Sequence, residues 1–121
     1  MFLQLNHQKL AVYKASGEFV RNCYQVTNQL PTAEKFAMVS QIRRAALSVH
    51  LNVAEGASRK SSAERKRFYQ IARGSVVEID AALDIADTLQ YLKNTNIAPL
   101  GESMVQCFKI LSGLINAPDK D

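Results

Sequence analysis

The sequence has 121 residues, of which 47% are hydrophobic and 21% are charged, and its formal net charge is +4. This length and apolar content predict one globular domain over residues 1–121 rather than two. No apolar run reaches the roughly 18 residues of a membrane-spanning helix, and the start MFLQLNHQKL lacks the regions of a signal peptide, so we expect a cytoplasmic protein that contacts no membrane.

The first two helices are predicted from apolar residues that recur every three or four positions. One helix should span residues 7–28. A second should span residues 33–55, with Thr32 as its N-cap, Phe36 in its apolar stripe and Gly56 as the left-handed residue that ends it. The pattern predicts helices and no strands along the whole chain.

The third and fourth helices are predicted at residues 62–93 and 98–115. Ser61 and Glu64 have the spacing of a capping box, which marks the start of the third helix. Two neighbouring rows follow along it: first Phe68, Ile71, Ser75, Glu78, Ala82, Ile85 and Leu89, then Ala72, Val76, Ile79, Leu83 and Ala86. Because the connections are short, we expect an all-α antiparallel four-helix bundle with up-down-up-down topology, in which Gly74 permits close helix packing.

A set of polar residues recurs on the second and third helices, beside or within the apolar stripes: Gln41, Arg44, Ser48, Asn52, Glu55, Ser75 and Glu78. A carboxylate within an apolar stripe is costly to bury unless it is paired or hydrogen-bonded. We therefore interpret these residues as a structural polar network between the two helices. The alternative is that Glu78 is a catalytic acid, but no His or Cys accompanies it and only Glu55 has a comparable position.

The same residues carry a family resemblance. The segments QIRRAALSVHLNVAEGASRKS and FYQIARGSVVEI resemble the pattern of the four-helix bundle proteins that are encoded in intervening sequences of bacterial 23S ribosomal RNA genes. The matching positions are Gln41, Arg43, Arg44, Ser48, Asn52, Glu55, Gly56, Arg59, Gly74, Ser75 and Glu78.

This resemblance extends to the accessory variability determinant of diversity-generating retroelements, a basic ring-shaped pentamer that binds nucleic acid and a reverse transcriptase. It implies that the present chain forms a homo-oligomeric ring, with a pentamer as the expected assembly. For the intervening-sequence proteins themselves, the resemblance implies no defined activity.

Positive charge is concentrated in one segment, since Arg43 to Arg73 contains eight of the 15 basic residues and only two of the 11 acidic residues. A clustered basic patch favours a polyanion as partner, either RNA or DNA. The expected nucleic-acid-binding residues are Arg59, Lys60, Arg65, Lys66, Tyr69 and Arg73. Tyr69 should lie on the same outward face as Lys66 and Arg73, where its ring would stack on a base.

The third helix carries its basic residues in its first half and Asp80, Asp84 and Asp87 in its second half, opposite to the order that its own macrodipole favours. Three explanations remain open at this point. The charges are solvated and have no role, or the basic half binds a polyanion, or the basic end of one subunit meets the acidic end of the next in a head-to-tail assembly.

No catalytic, metal or cofactor site is predicted. His7 and His50 have no metal ligands at suitable spacing, and Cys23 and Cys107 are expected to be buried reduced thiols, with a disulfide as the alternative. The predicted function is therefore non-enzymatic nucleic-acid binding by an oligomeric helical bundle. The alternative is a structural or protein-interaction adaptor whose charged faces mediate ring assembly or docking to an acidic protein.

Overall fold

The computed structural model describes residues 1–119, except for the side chain of Lys9. Within this range it contains no strand and has four α-helices: α1 (Ala11–Thr27), α2 (Met38–Ala57), α3 (Ser62–Thr88) and α4 (Ala98–Asn116). Two short 3-10 helices, Asn6–Lys9 and Thr32–Glu34, precede α1 and α2. The predicted all-α four-helix fold is confirmed.

The helices form a closed arrangement in which each packs against two neighbours, because α1 and α3 both contact α2 and α4. Hydrogen bonds give the relative directions of the helices. Gln41 of α2 bonds to Glu78 of α3, whereas Ser48, which is later in α2, bonds to Ser75, which is earlier in α3. Between α1 and α2, Arg43 bonds to Thr27, whereas the later His50 bonds to the earlier Ser16. The bonds of Lys66 to Ala117 and of Arg73 to Ser112 have the same opposed order, so consecutive helices are antiparallel.

Each helix contributes one stripe of buried side chains to the core. The fully buried side chains include Phe19, Val49, Ile79 and Leu111. On α3 the buried stripe contains the second predicted row, with Ala72, Val76, Ile79 and Ala86. Two apolar rows predict contacts on two sides of α3, and this prediction is wrong for Ile71, Ile85 and Leu89 of the first row, which are 45%, 54% and 49% exposed. Phe68, Ser75 and Ala82 of the same row are partly buried, so the row lies at the edge of the contact with α2 and not in the core.

The first two helices begin later than predicted. α1 begins at Ala11 instead of residue 7, because the preceding residues form a 3-10 helix. α2 begins at Met38 instead of residue 33. Thr32 is the first residue of the second 3-10 helix and does not cap α2, so the predicted N-cap is wrong. Phe36, which was placed in the apolar stripe of α2, lies in this connection and is 88% exposed.

The remaining helix ends lie close to their predicted positions, except for the C-terminal end of α3. α3 stops at Thr88 instead of residue 93, and Gln90 then adopts a left-handed conformation with φ of 62° that turns the chain away. The start of α3 is as predicted. The Ser61 hydroxyl accepts a 3.1 Å hydrogen bond from the backbone N–H of Glu64, which confirms Ser61 as the N-cap.

Two glycines have roles that differ from the predicted ones. Gly56 does not end α2 in a left-handed conformation, because no glycine in residues 1–119 has a positive φ and α2 continues to Ala57. A Cβ atom at Gly56 would lie 3.0 Å from Phe68 Cβ and 3.1 Å from the Arg65 carbonyl oxygen, so this glycine allows α2 and α3 to approach. Gly74 was expected to permit close packing, but a Cβ there would meet no atom within 4 Å.

Candidate nucleic-acid interface

The predicted binding residues lie at the end of the bundle where α2 connects to α3. Arg59 and Lys60 are exposed in this connection, as expected. The Arg59 guanidinium pairs with Glu55 at 2.9 Å and lies 5.0 Å from the centroid of the Phe68 ring. Arg59 is therefore positioned by its own helix and by an aromatic side chain of the next one.

Tyr69 does not lie on the outward face, and this part of the prediction is wrong. Its side chain is 5% exposed and belongs to the core. Tyr69, Ala72 and Val76 follow the three-four spacing of the buried row of α3, which explains why the ring turns inward. Burial raises the pKa of the Tyr69 hydroxyl, against the opposing effect of Arg65. A ring in this position is not accessible for stacking on a base.

Three predicted cations use their donors within the subunit. Arg65 donates hydrogen bonds to the carbonyl oxygens of Arg59 and Lys60, at 3.1 and 2.6 Å, and thereby holds the connection between α2 and α3. Lys66 donates to the carbonyl oxygen of Ala117 and, at 2.6 Å, to the carboxylate of Asp119.

Arg73 is similarly engaged with α4. It donates to Ser112 Oγ at 3.2 Å, and its guanidinium lies 5.9 Å from the centroid of the Phe108 ring. The expected outward surface of Arg65, Lys66 and Arg73 is therefore a set of contacts that join α3 to the preceding connection and to the end of α4.

The cations that are exposed at this end of the bundle overlap the predicted set only in part. Arg59, Lys60 and Arg67 are exposed, and the guanidinium groups of Arg59 and Arg67 each lie 5.0 Å from the centroid of the Phe68 ring. We call Arg59, Lys60, Arg67 and Phe68 the cationic cluster. Arg67 and Phe68 were not among the predicted binding residues. The available signal was the helical angle of Arg67, which lies opposite the buried row of α3 and therefore points to solvent.

The predicted polar network is present only in part. Gln41 Nε2 donates to Glu78 at 2.9 Å, and the Ser75 hydroxyl donates to Ser48 Oγ at 3.1 Å. Asn52 Nδ2 donates to the backbone carbonyl oxygen and to the hydroxyl oxygen of Ser48, at 2.8 and 3.1 Å. These bonds lie along the solvent side of the contact between α2 and α3, because Gln41 and Glu78 are exposed rather than buried.

Two members of the predicted network are outside it. Glu55 pairs with Arg59 instead. Arg44 is exposed and makes no hydrogen bond or ion pair within residues 1–119. The motif that carries the family resemblance therefore places much of its polar character on a surface and not in the interior.

Several large apolar side chains are also exposed on this surface. We define the α2–α3 outer surface by the exposed apolar residues Leu47 and Leu51 of α2 and Ile71, Ile85 and Leu89 of α3. Arg44 and Glu78 are exposed among them. Ile85 and Leu89 are 14 and 18 residues beyond Ile71 on α3, roughly 21 and 27 Å away, so the apolar residues are interspersed with polar ones along this surface. Exposed apolar side chains with polar neighbours are found at protein–protein contact surfaces.

The charge order of α3 matches the antiparallel helix beside it. Lys66, at the start of α3, bonds to the carbonyl of Ala117, which is the C-cap of α4. Asp80, Asp84 and Asp87, at the other end of α3, line a cavity of about 210 Å³ together with Ile97, the N-cap of α4. Cations near a helix C-terminus and anions near an N-terminus are both favourable, so these charges complement the dipole of α4.

Three ionisable side chains, those of His50, Cys23 and Cys107, pack inside the bundle. The His50 Nδ1 atom is 2.7 Å from Ser16 Oγ, and its ring lies 4.4 Å from the ring of Tyr13. Burial, with a smaller effect of His7, lowers the pKa of His50. Cys23 and Cys107 are buried free thiols, as predicted, and burial raises the pKa of each to about 12.

Residues 1–119 contain no group of three or more His, Cys, Asp and Glu side chains that could hold a metal ion. Among the helices of this described range, none combines the length and the apolar character needed to cross a membrane.

Comparison with known proteins identifies a family for this chain. The family model described as 23S rRNA-intervening sequence protein matches residues 8–113. No curated protein matches the sequence. The matched range includes all four helices except the last three residues of α4, and it includes the cationic cluster and the α2–α3 outer surface.

Proposed function

Because the chain belongs to the 23S rRNA-intervening sequence protein family, we propose that it is a non-enzymatic helical bundle that binds the backbone of RNA or DNA and works as a homo-oligomer. The expected relation to the accessory protein of diversity-generating retroelements stays a prediction. In this proposal the phosphate contacts come first from the cationic cluster. Arg65, Lys66 and Arg73 contribute less, because they are only partly exposed and their donors are used within the subunit. Arg59 also pairs with Glu55, but its side chain remains 43% exposed.

The observation that carries the proposal is that the guanidinium groups of Arg59 and Arg67 each lie 5.0 Å from the centroid of the Phe68 ring, with Lys60 next to Arg59 in the chain. Contact with one ring restricts the motion of both guanidinium groups, so less side-chain entropy is lost when they bind a phosphate. The three cations lie in and next to one short connection. Their positive charges therefore add over a small area, as binding of a phosphate backbone requires.

The test is a titration of fluorescent structured RNA and single-stranded DNA, measured by anisotropy at several salt concentrations. The variant R59A/K60A/R67A removes three charges from the cluster. The matched control K35A/K93A/K109A removes three exposed charges from other parts of the bundle, so both variants have the same net charge. Circular dichroism verifies that both remain folded.

We expect the cluster variant to lose affinity and to depend less on salt. Each lost phosphate contact reduces the slope of log K against log salt by about 0.7 to 0.9, so the slope should fall by about 2 to 3. The control variant should retain a slope close to that of the unchanged protein. Absence of binding at low salt, or an equal loss in both variants, would contradict the proposed role of the cluster.

A second function is favoured by a separate observation, the α2–α3 outer surface. We propose that this surface mediates self-association, with the pentameric ring implied by the family resemblance as the expected product. Exposed Leu51 and Ile71, at 60% and 45%, are unfavourable in a solvated monomer and become favourable when a neighbour covers them.

Sedimentation velocity tests this assembly. The variant L51D places a charge in the outer surface and should shift the protein toward monomer, whereas Q25D places the same charge on the exposed side of α1 and should leave the assembly intact. If the protein without substitutions is monomeric at all concentrations, the proposed ring is refuted. An oligomer that L51D does not weaken would exclude the outer surface as its contact.

A further inference from the structure

The segment before the first helix exposes an apolar run. Met1, Phe2 and Leu3 are 87%, 89% and 76% exposed, and Leu5 is also exposed. We call residues 1–5 the N-terminal arm. It lies outside the range that the family model matches, which begins at residue 8. Large apolar side chains clustered in this way mark a contact surface.

A second apolar feature is a groove between α3 and α4. It is a cavity of about 320 Å³ lined by Val77, Met104, Val105 and Phe108, with Asp80 and Lys109 at its rim. An apolar cavity of roughly 150 Å³ is enough to hold benzene, so this groove has room for a phenylalanine or leucine side chain. Val77 and Val105 are 54% and 53% exposed at its mouth.

The groove differs from the α2–α3 outer surface in shape. Between α2 and α3 the contact line is closed by the hydrogen bonds of Ser48 with Ser75 and of Gln41 with Glu78. Between α3 and α4, by contrast, the apolar walls are separated and leave a concave space. An extended segment with protruding side chains fits a concave site better than a convex one.

The arm cannot fill the groove of its own subunit. The 3-10 helix that follows the arm packs against α1 and α2, where the rings of His7 and Tyr13 are 5.3 Å apart. This position is on the opposite side of the bundle from the groove. The five residues of the arm reach at most roughly 17 Å when extended, whereas the path around two helices of about 10 Å diameter each is at least about 20 Å.

We propose that Phe2 and Leu3 of the N-terminal arm dock into the α3–α4 groove of a neighbouring copy of this chain. This inference rests on the self-association proposed above and adds a second contact to it. The arm of one subunit and the groove of the next are different surfaces, so the contact is heterologous and can close a ring. It covers two apolar features that a single subunit leaves open.

Disulfide trapping between two separately prepared variants tests the docking directly. L3C places a thiol in the arm and V105C places one in the groove. A mixture of the two, oxidised with diamide, should give a cross-linked dimer on a non-reducing gel. The native Cys23 and Cys107 are buried and have pKa values near 12, so they do not compete at neutral pH. The control mixes L3C with L51C, which lies on the α2–α3 outer surface.

We expect the L3C and V105C mixture to cross-link at least tenfold faster than the control mixture. Equal rates in the two mixtures would overturn the proposal. Absence of the L3C–V105C product in a protein that sedimentation shows to be oligomeric would also overturn it, while leaving assembly through the outer surface intact.

Self-association gives an independent readout. The variant F2S/L3S removes the apolar side chains of the arm and should weaken the association constant by about 100-fold or more, since each buried side chain of this size contributes a large part of the docking energy. Q4S changes the arm without removing an apolar side chain and should leave the constant unchanged. An F2S/L3S protein that assembles as tightly as Q4S would exclude the arm as a contact. Neither variant touches the cationic cluster, so RNA binding by the isolated subunit should be unchanged.

Discussion

Replacing Gly56 by alanine should destabilise the bundle, although alanine is the better helix former. A Cβ atom at Gly56 would lie 3.0 Å from Phe68 Cβ, 3.0 Å from Tyr69 Cε1 and 3.1 Å from the Arg65 carbonyl oxygen. The two side-chain atoms belong to residues packed between α2 and α3, and the third atom is backbone. The Phe68 Cβ and the Arg65 carbonyl oxygen cannot move without shifting α3 itself, and the Tyr69 ring is buried and has little room to turn.

The size of the effect follows from two opposing terms. Alanine gains about 0.8 to 1.0 kcal/mol over glycine in a helix interior, and less in the last turn, where Gly56 lies. Forcing a methyl group into a packed contact costs about 1 to 3 kcal/mol. We therefore expect G56A to lower the free energy of unfolding by about 1 to 2 kcal/mol.

Two other glycines provide matched controls. Gly74 in α3 and Gly113 in α4 are exposed helical positions where a Cβ would meet no atom within 4 Å. G74A and G113A should therefore gain the propensity term without a packing cost, about 0.5 to 1 kcal/mol each.

Urea unfolding, followed by circular dichroism at one fixed protein concentration, measures the three variants. The informative quantity is the difference between G56A and G113A, because both replace a helical glycine and only one creates a close contact. A difference below about 0.5 kcal/mol, or a G56A protein more stable than the original, would show that α2 and α3 are not in close contact at this position.

Three further predictions concern the interior and the helix ends. S61A removes the hydroxyl that accepts from Glu64 N–H, and thermal unfolding should show a loss of about 1 kcal/mol. Cys23 and Cys107 should resist a thiol reagent at about pH 8 in the folded protein and should both react in denaturant, because burial raises their pKa. Since burial lowers the pKa of His50, the unfolded chain takes up its proton at a higher pH, and the free energy of unfolding should fall as the pH drops below about 6.5. H50Q should flatten this dependence, measured by urea unfolding at several pH values, and an unchanged dependence would assign it to other groups.

Helix existence could be predicted from the sequence because the apolar period persists over long segments, but the start of α2 could not. Thr32 had the local chemistry of an N-cap. In the structure the adjacent Glu34 accepts a 2.9 Å hydrogen bond from the hydroxyl of Tyr91, which is 57 residues away in the chain. Glu34 also accepts from the backbone N–H of Met38, the first residue of α2. The residues around Thr32 do not reveal a contact with a residue so distant in the chain. The start of α2 therefore could not be predicted from the local sequence.

The predicted positions of the site residues depended on which row of α3 is buried, and periodicity alone does not decide this. α3 has two neighbouring rows that both look apolar, and the rotation of the helix decides which one is buried. The observed rotation buries the row of Ala72 and Val76, which turns Tyr69 inward and leaves Ile71 and Arg67 outside. One rotation therefore accounts for the wrong position of the expected stacking ring, for the exposed apolar surface and for the exposure of Arg67.

The charge order along α3 also depends on a neighbour that the sequence of one helix does not reveal. Considered alone, α3 has its cations at the unfavourable end. Beside an antiparallel α4, the same order places Lys66 at the carbonyl of the α4 C-cap and places Asp84 and Asp87 near the α4 N-terminus. Each such charge is worth about 0.3 to 1 kcal/mol. The order is thus accounted for within one subunit and is not evidence for an external partner, so the argument for nucleic-acid binding depends on the exposed cations of the cationic cluster.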